Sequence, residues 1–275
     1  SQAAEEFNTS QPNISRHIAK LEAELGEALF HRFGGRVALT DAGRIVFDHA
    51  QRVFEQINNM NRALNELQGL KGGYLRLAAS STPGIYLLPP VVADFQRAHP
   101  DLEISLYLAN TQEVVDQLIG NQADIGFVEA PVKLPKIQIQ PYLLDELVPV
   151  ISPRHRLAQV SDITPVDLCQ ETLVLQEEGT GTRSLIEEAF NHWGQQLQRV
   201  LVIRNVEGIK RAVAAGLGIS FISRNAIDLE LIQGLLWPLP GDKLILKRDI
   251  SIITHKDIRP SAAMLAFLAH LRKCG

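Results

Sequence analysis

The sequence feature that most constrains the fold is an uninterrupted heptad seam between residues 41 and 70. Seven apolar positions follow one another at alternating steps of four and three residues: Val46, Ala50, Val53, Ile57, Met60, Leu64 and Leu67. The segment lacks proline and has glycine only near its ends, so it predicts one helix of about 43 Å at 1.5 Å per residue. Because apolar a and d positions over three heptads need a facing helix, we expect this seam to mediate dimerisation. The alternative is a helix packed against its own domain.

A shorter amphipathic segment precedes the seam. Its apolar face repeats at steps of three and four residues: Ile14, Ile18, Leu21 and Leu25. Ser10 suits the N-cap of a helix, Pro12 its first turn and Gly26 its end. The run LFHRFGGRVALT has a paired-glycine turn between two half-apolar stretches and predicts a β-hairpin. Residues 1–40 therefore predict a short helix, a turn, a second helix and a hairpin, which together make a winged helix-turn-helix DNA-binding domain.

The polar face of the second helix carries residue types that contact DNA. In a helix-turn-helix this helix enters the major groove by its N-terminal end. Gln11 and Arg16 can make paired hydrogen bonds to adenine and guanine, whereas Ser15 and Lys20 more often contact the backbone. Taken alone, such a face is more often solvated surface. Two arginines that flank the glycine turn favour DNA, because a wing commonly contacts phosphates or the minor groove: Arg32 and Arg36.

Net charge, the length of apolar runs and the cysteine count limit the other functions that the chain could have. The formal net charge is −4 over 275 residues, and residues 1–73 hold eight Lys and Arg against nine Asp and Glu, so DNA binding must come from a local patch. No apolar run approaches the roughly 20 residues that span a bilayer, and the polar start lacks a secretory signal, so we expect a cytoplasmic protein without membrane contact. Cys169 and Cys274 lie too far apart for a disulfide scaffold, and nothing basic adjoins Cys169 to favour a peroxide sensor.

After residue 73 the pattern changes to short β-rich runs that alternate with helices. This alternation predicts an α/β domain with largely parallel sheets over residues 74–275, after a hinge at GLKGG. The segments DELVPVISP and LKRDISIITHK suit two crossings between a pair of lobes. We therefore predict a bilobed clamp, with lobe I at about 74–147 and 250–275 and lobe II at about 148–249.

Small polar residues gather where strands end and helices begin in this clamp. Helix N-termini present unpaired N–H groups and the positive end of the helix dipole, which favour a small anion. Each Ser or Thr could instead merely cap its own helix. The predicted effector-binding residues are Ser80, Ser81, Thr82, Thr111, Glu129, Gln176, Thr180, Thr182, Asn205 and Val206. The eight histidines form no metal-like pair and no catalytic motif occurs, so we expect no enzyme activity, no metal and no cofactor.

The run AAEEFNTSQPNISRHIAKLEAELGEALFHRFGGRVALTDAG resembles the DNA-binding region of LysR-type transcriptional regulators, with Phe7 in place of the usual leucine. The resemblance extends to the C-terminus. It implies DNA contacts from Ser10, Gln11, Pro12, Ser15 and Arg16, supported by Lys20, Arg32 and Arg36. It also implies a dimerisation linker at residues 41–70, a dimer or tetramer, and RNA polymerase as a partner. The family's first helix is not part of this sequence, and its absence from the protein would be expected to weaken DNA binding.

The clamp carries a second resemblance. ASSTPGIYLLP and ADIGFVEAP are similar to the branch of the family that controls sulfur assimilation or carbon fixation, which implies a sulfur oxyanion or a small phosphorylated or carboxylated metabolite as effector. EEGTGTR resembles the family segment REPGSGTR, but Gln176 replaces its arginine and argues against a strongly anionic ligand. The clamp alone also resembles a periplasmic-type solute-binding protein, which is the alternative function.

Overall fold

The computed structural model of the chain describes residues 9–33, 36–67 and 73–274. Contacts divide the chain into two compact units, residues 1–61 and 62–275. The first unit holds most of the long helix together with the residues before it. In the described part of the chain, no helix combines the length and the apolar character needed to cross a membrane.

The first unit contains the predicted helix, hairpin and start of the long helix. Its described elements are α1 (Gln11–Leu25), β1 (Phe30–Phe33), β2 (Arg36–Leu39) and α2 (Asp41–Leu67). Pro12 lies in the first turn of α1, and Gly26 ends the helix at φ +74°, a left-handed conformation that favours glycine. Ser10 occupies the N-cap position, but within the described residues its side chain accepts no capping hydrogen bond. The predicted short first helix and the glycines of the hairpin turn lie outside the described residues.

Short polar contacts tie α1 to the hairpin and the hairpin to α2. The Glu22 carboxylate accepts hydrogen bonds from the backbone N–H of Leu29 at 2.8 Å and of Phe30 at 3.3 Å. The Thr40 hydroxyl donates to the Ala28 carbonyl at 2.6 Å and accepts from the Gly43 N–H at 2.9 Å. The entry of α2 is therefore fixed against the end of α1.

The predicted seam lies on one helix, as the periodicity indicated. Three of its side chains are exposed in the single chain, Val53 by 58%, Ile57 by 43% and Met60 by 56%, whereas Val46 is half-buried. Exposed apolar residues at heptad spacing are typical of a helix that pairs with a second helix in a coiled coil. The side chains of Leu64 and Leu67 lie outside the described part of the structure, as does most of the predicted hinge at residues 69–73.

The second unit alternates strands and helices. Its lobe I elements are β3 (Gly73–Ala79), α3 (Leu88–Ala98), β4 (Leu102–Leu108), α4 (Thr111–Ile119), β5 (Ile125–Val128) and α9 (Ala262–Cys274), with a π-helical turn at Pro83–Leu87. Its lobe II elements are α5 (Pro165–Cys169), β7 (Thr172–Leu175), α6 (Gly181–His192), β8 (Arg199–Val202), α7 (Val206–Ala214), β9 (Ser220–Ser223), α8 (Asp228–Ile232) and β10 (Trp237–Pro238). Two long strands run through both lobes: β6 (Ile137–Ile151) and β11 (Leu246–His255).

The prediction of largely parallel sheets is wrong for the seven-stranded sheet. β3 pairs in parallel with β4 and β5, but β11 pairs antiparallel with β5 and β6, and β6 pairs antiparallel with β9 and β10. The reason is the crossing: β6 carries the chain out of lobe I and β11 brings it back, so neighbouring strands run in opposite directions. The predicted crossings at DELVPVISP and LKRDISIITHK lie on these two strands.

Each lobe has an apolar core. In lobe I, Phe95 and Phe267 pack edge to face with centroids 5.0 Å apart, and both are almost fully buried. In lobe II, Phe190 packs against Trp193 and Phe221 at centroid distances of 5.2 and 6.0 Å.

Candidate functional site

The first candidate site is the polar face of α1. Five predicted contact residues are exposed at the start of this helix: Ser10, Gln11, Pro12, Ser15 and Arg16. Lys20 lies one turn further along, also exposed, with its ammonium 3.8 Å from the Glu24 carboxylate. Arg32 and Arg36 belong to the two hairpin strands, but their side chains lie outside the described part of the structure. The helix therefore presents its N-terminal polar residues to solvent together.

The second candidate site is a cavity between the lobes of the second unit. It measures about 30 Å³, which is room for about two water molecules. Its walls come from the ends of β3, β5 and β7 and from the first turns of α6 and α7, and its lining includes Ser81, Thr82, Glu129, Gln176, Thr182, Val206, Ile209, Ser220, Ser223 and Arg248. The lobes touch closely at its edge, since a Cβ on Gly181 of lobe II would lie 2.6 Å from Ala130 Cβ of lobe I.

Arg248 is the positive charge of this cavity. It lies on the crossing strand β11 with a side chain only 6% exposed. Its Nε and Nη2 both approach Asp145 Oδ2 at 2.8 Å, on the neighbouring crossing strand β6. Asp145 is fully buried, and its Oδ1 accepts from the Ser223 hydroxyl at 2.5 Å and from Asn225 Nδ2 at 3.0 Å. The guanidinium is thereby fixed in place with one edge turned to the cavity.

On the side that faces the cavity, the Arg248 guanidinium pairs with the Glu129 carboxylate. Arg248 Nη1 lies 2.6 Å from Glu129 Oε2, and the other carboxylate oxygen accepts from the Thr82 backbone N–H at 2.8 Å. Arg248 also donates to the hydroxyls of Thr182 at 2.8 Å and Thr82 at 3.1 Å. Guanidinium, backbone N–H and hydroxyl groups are the donors that hold oxyanions in proteins. The Glu129 carboxylate, which is 9% exposed, therefore contacts groups of the kinds that hold oxyanions in proteins.

The structure brings six of the ten predicted effector residues to this cavity. They are Ser81, Thr82, Glu129, Gln176, Thr182 and Val206. The other four lie outside its lining and have local structural roles. Ser80 donates to the Phe127 carbonyl at 3.4 Å. Thr180 and Asn205 cap α6 and α7, and Thr111 begins α4 behind the N-cap Asn110. These four residues thus fit the alternative interpretation, in which a small polar residue caps a helix or lies at the end of a strand without binding an effector.

Sequence reasoning missed Arg248 and its partner Asp145. A signal was present for both, because each charge falls on the apolar side of an alternating run: Arg248 between Leu246 and Ile250, and Asp145 between Leu143 and Leu147. Buried charges in strands are normally paired, so two such strands of opposite charge could have been matched. The cavity is lined additionally by Ser220 and Ser223 of β9, which the sequence did not distinguish from ordinary strand residues.

Comparison with known proteins shows that two family models match this chain. Residues 1–44 match the family described as bacterial regulatory helix-turn-helix protein, lysR family, and residues 68–274 match the LysR substrate binding domain. The RuBisCO operon transcriptional regulator of Allochromatium vinosum is 34% identical over 265 residues, covering 96% of this chain and 87% of that regulator. The transcriptional regulator CysL of Bacillus subtilis is 32% identical over 251 residues, covering 91% and 84%.

Two solved structures share the fold. The regulatory domain of Synechocystis PCC6803 CcmR in complex with 2-PG has a TM-score of 0.68 and 28% identity, covering 74% of this chain and 97% of that one. Full-length CbnR complexed with its target DNA has a TM-score of 0.70 and 23% identity, covering 100% and 93%. The second likeness extends the shared fold over both units of the chain.

Proposed function

Because the chain belongs to the LysR family of bacterial transcriptional regulators, we propose that it is a DNA-binding regulator whose interlobe cavity binds a small oxyanion. The helix-turn-helix match over residues 1–44 favours this function over a solute-binding protein of periplasmic type. The relatives are transcriptional regulators, and we assign the chain a regulatory, non-enzymatic role in the cytoplasm, with RNA polymerase as a partner at the promoter.

The Glu129 carboxylate in the cavity carries the effector proposal. It makes the contacts that an oxyanion effector would make, to Arg248 Nη1 at 2.6 Å and to the Thr82 N–H at 2.8 Å. An effector would compete with this internal carboxylate, because Arg248 already pairs with both Asp145 and Glu129, and a third negative group beside them would be strongly repelled. Arg248 supplies a positive charge in the cavity that the sequence argument from Gln176 did not include, and this charge becomes available to an anion when Glu129 is displaced.

The size of the cavity limits the effector. Room for about two water molecules accommodates a compact anion only if the Glu129 side chain moves or the lobes part. Sulfur oxyanions and small phosphorylated or carboxylated metabolites fit this chemistry. The names of the relatives, which include a RuBisCO operon regulator, CysL and a CcmR domain in complex with 2-PG, support the same choice.

The test is thermal unfolding of the full chain with sulfite, sulfate, phosphate, phosphorylated two-carbon acids and small carboxylates. A compound at 100 times its dissociation constant should stabilise the protein by roughly 2.7 kcal/mol. We expect Thr82→Ala to abolish the shift and Glu129→Gln to tighten binding, because it removes the competing charge. Thr254→Ala on β11 is the control, since Thr254 lies outside the cavity lining. A panel without any shift, or a shift that Thr82→Ala leaves intact, would remove the oxyanion proposal.

The DNA contacts need a separate experiment. We propose that Gln11, Ser15 and Arg16 contact the operator, because they are exposed together at the N-terminal end of α1. Arg16→Ala should lower affinity and relax specificity at one operator position, with a shallower dependence on salt. Arg97→Ala on lobe I, where Arg97 pairs with Asp94, is the control. Unchanged operator affinity in Arg16→Ala would contradict the assignment.

Dimerisation through α2 completes the proposed mechanism. The exposed seam at Val53, Ile57 and Met60 supports pairing with the same helix of a second copy. Effector binding would then change the angle between the lobes and shift the population of dimer arrangements, which alters operator spacing or bend. Met60→Lys should lower the oligomeric state in sedimentation, whereas an unchanged assembly would exclude the seam as the dimer contact.

A further inference from the structure

A second contact between the lobes lies outside the effector cavity, around Tyr86. Tyr86 belongs to the π-helical turn Pro83–Leu87 of lobe I, yet its ring packs against the apolar core of lobe II. Its hydroxyl donates a hydrogen bond to the carboxylate of Glu207 in the first turn of α7. The chain therefore reaches across the interlobe boundary here with a large side chain and a directed polar group.

Lys210 anchors the lobe II side of this contact. Its side chain is 5% exposed, and its ammonium lies 2.7 Å from Glu207 Oε1, 2.9 Å from Glu230 Oε1 and 2.9 Å from the Ala226 carbonyl. Three acceptors match the three hydrogens of an ammonium group. The same nitrogen lies 5.0 Å from the centroid of the Tyr86 ring, within range of a cation–π attraction. Lys210 thus holds Glu207 in the position where Tyr86 meets it.

The protonation states suit this arrangement. Burial, together with the hydrogen bond to Glu207, raises the pKa of Tyr86 above its ordinary value, so the phenol keeps the proton it donates. Burial alone would raise the pKa of Glu207, but the hydrogen bonds from Lys210 and Tyr86 outweigh it and lower this pKa. The contact is therefore a neutral donor on a charged acceptor, which is a strong class of hydrogen bond.

Both sides of the contact are connected to the cavity by short stretches of chain. Tyr86 follows Thr82 by four residues, and Thr82 contacts both Glu129 and Arg248. On the other side, Val206 and Ile209 of α7 line the cavity. Separation of the lobes must break the hydrogen bond from Tyr86 to Glu207 and withdraw the ring from lobe II, although neither side chain lines the cavity.

We propose that Tyr86, Glu207 and Lys210 form an interlobe latch that keeps the lobes closed when no effector is bound. Its consequence for effector response rests on the proposed function, but the latch itself does not. Because opening breaks a hydrogen bond to a charged acceptor, Tyr86→Phe should raise the equilibrium constant for lobe opening about tenfold, while the ring and its packing stay in place. Tyr86 acts here as a positioning residue.

The experiment measures how often the cavity opens, with no effector and no DNA present. Ser220 lines the cavity and is 1% exposed, so Ser220→Cys introduces a thiol that reacts with a disulfide reagent such as DTNB only after opening. The other thiols are removed by Cys169→Ala and Cys274→Ser. Tyr86→Phe is compared with Tyr74→Phe, the same change in lobe I at a side chain 59% exposed. We expect labelling about ten times faster in Tyr86→Phe and unchanged in Tyr74→Phe.

Two controls separate a latch from general loosening. Cys169 is 3% exposed in the core of lobe II, and in the chain with its native Ser220 its labelling reports opening of that core. An equal acceleration at Cys169, or an unchanged rate at the introduced thiol, would overturn the proposal. If Ser220→Cys does not fold, hydrogen exchange of the amides at 81–87 and 205–210 in the two tyrosine variants gives the same comparison. Because no effector is used, this outcome is independent of the effector titration.

Discussion

Replacement of Arg248 tests whether the buried ion pairs organise the effector domain. In Arg248→Met the fully buried Asp145 loses two contacts of 2.8 Å to one carboxylate oxygen, and the nearly buried Glu129 loses its 2.6 Å partner. Removal of one member of a buried pair typically costs about 3–5 kcal/mol, because the remaining charge is uncompensated. For a domain of about 200 residues this corresponds to a fall in Tm of roughly 6–20 °C.

Tryptophan fluorescence provides the assay, because both tryptophans of the sequence, Trp193 and Trp237, lie in the second unit. Urea unfolding of the full chain followed by this signal therefore reports the effector domain. Arg97→Met is the matched control, since Arg97 is 75% exposed and such surface pairs contribute at most about 1 kcal/mol.

A second variant separates charge from packing. In Asp145→Asn combined with Arg248→Met the fully buried charge of Asp145 is gone and only Glu129 is left without its partner. The remaining side-chain oxygen at position 145 can still accept from Ser223 and Asn225. We expect the double variant to recover at least about half of the lost free energy of unfolding. A loss below about 1 kcal/mol in Arg248→Met, or a double variant less stable than the single one, would refute the argument.

Three further changes have defined outcomes. Gly43→Ala should abolish operator binding and leave the tryptophan unfolding curve unchanged, because the added Cβ would lie 2.1 Å from the Leu29 carbonyl oxygen within the first unit. Gly126→Ala should lower the free energy of unfolding of the second unit by about 1–3 kcal/mol in the same fluorescence assay, since its Cβ would lie 2.7 Å from Ile253 Cγ1. The pKa of Glu207 is lowered in the folded protein, so its ionised carboxylate stabilises the fold at pH values above the unfolded carboxyl pKa of about 4.3. This contribution to the free energy of unfolding is lost as the pH falls through the folded pKa. Glu207→Gln should therefore flatten the acid limb of a curve of stability against pH.

The elements of this protein follow from local sequence patterns. The steps of four and three from Val46 to Leu67 predict the long helix, and the paired glycines between half-apolar runs predict the hairpin. Strand runs such as TLVLQ and LGISFIS are likewise visible, because apolar and β-branched residues cluster in them. These features were predictable because the periodicity of a helix or strand is written within a dozen residues.

The direction of the crossing strands and the composition of the cavity were decided by the tertiary structure. Arg248 meets Asp145, Thr182 and Thr82 across 103, 66 and 166 residues of sequence. No local pattern encodes such meetings, since they depend on two strands that cross between lobes and on three chain segments that end at one edge. The sequence alone determined the helix seam, the amphipathic helix α1 with its exposed polar face, and the alternation of elements. Only the tertiary structure decided that Glu129 pairs with Arg248 and that the Tyr86 hydroxyl donates to Glu207. These groups are buried only after the lobes have packed, and burial is what makes a partner necessary for each charge.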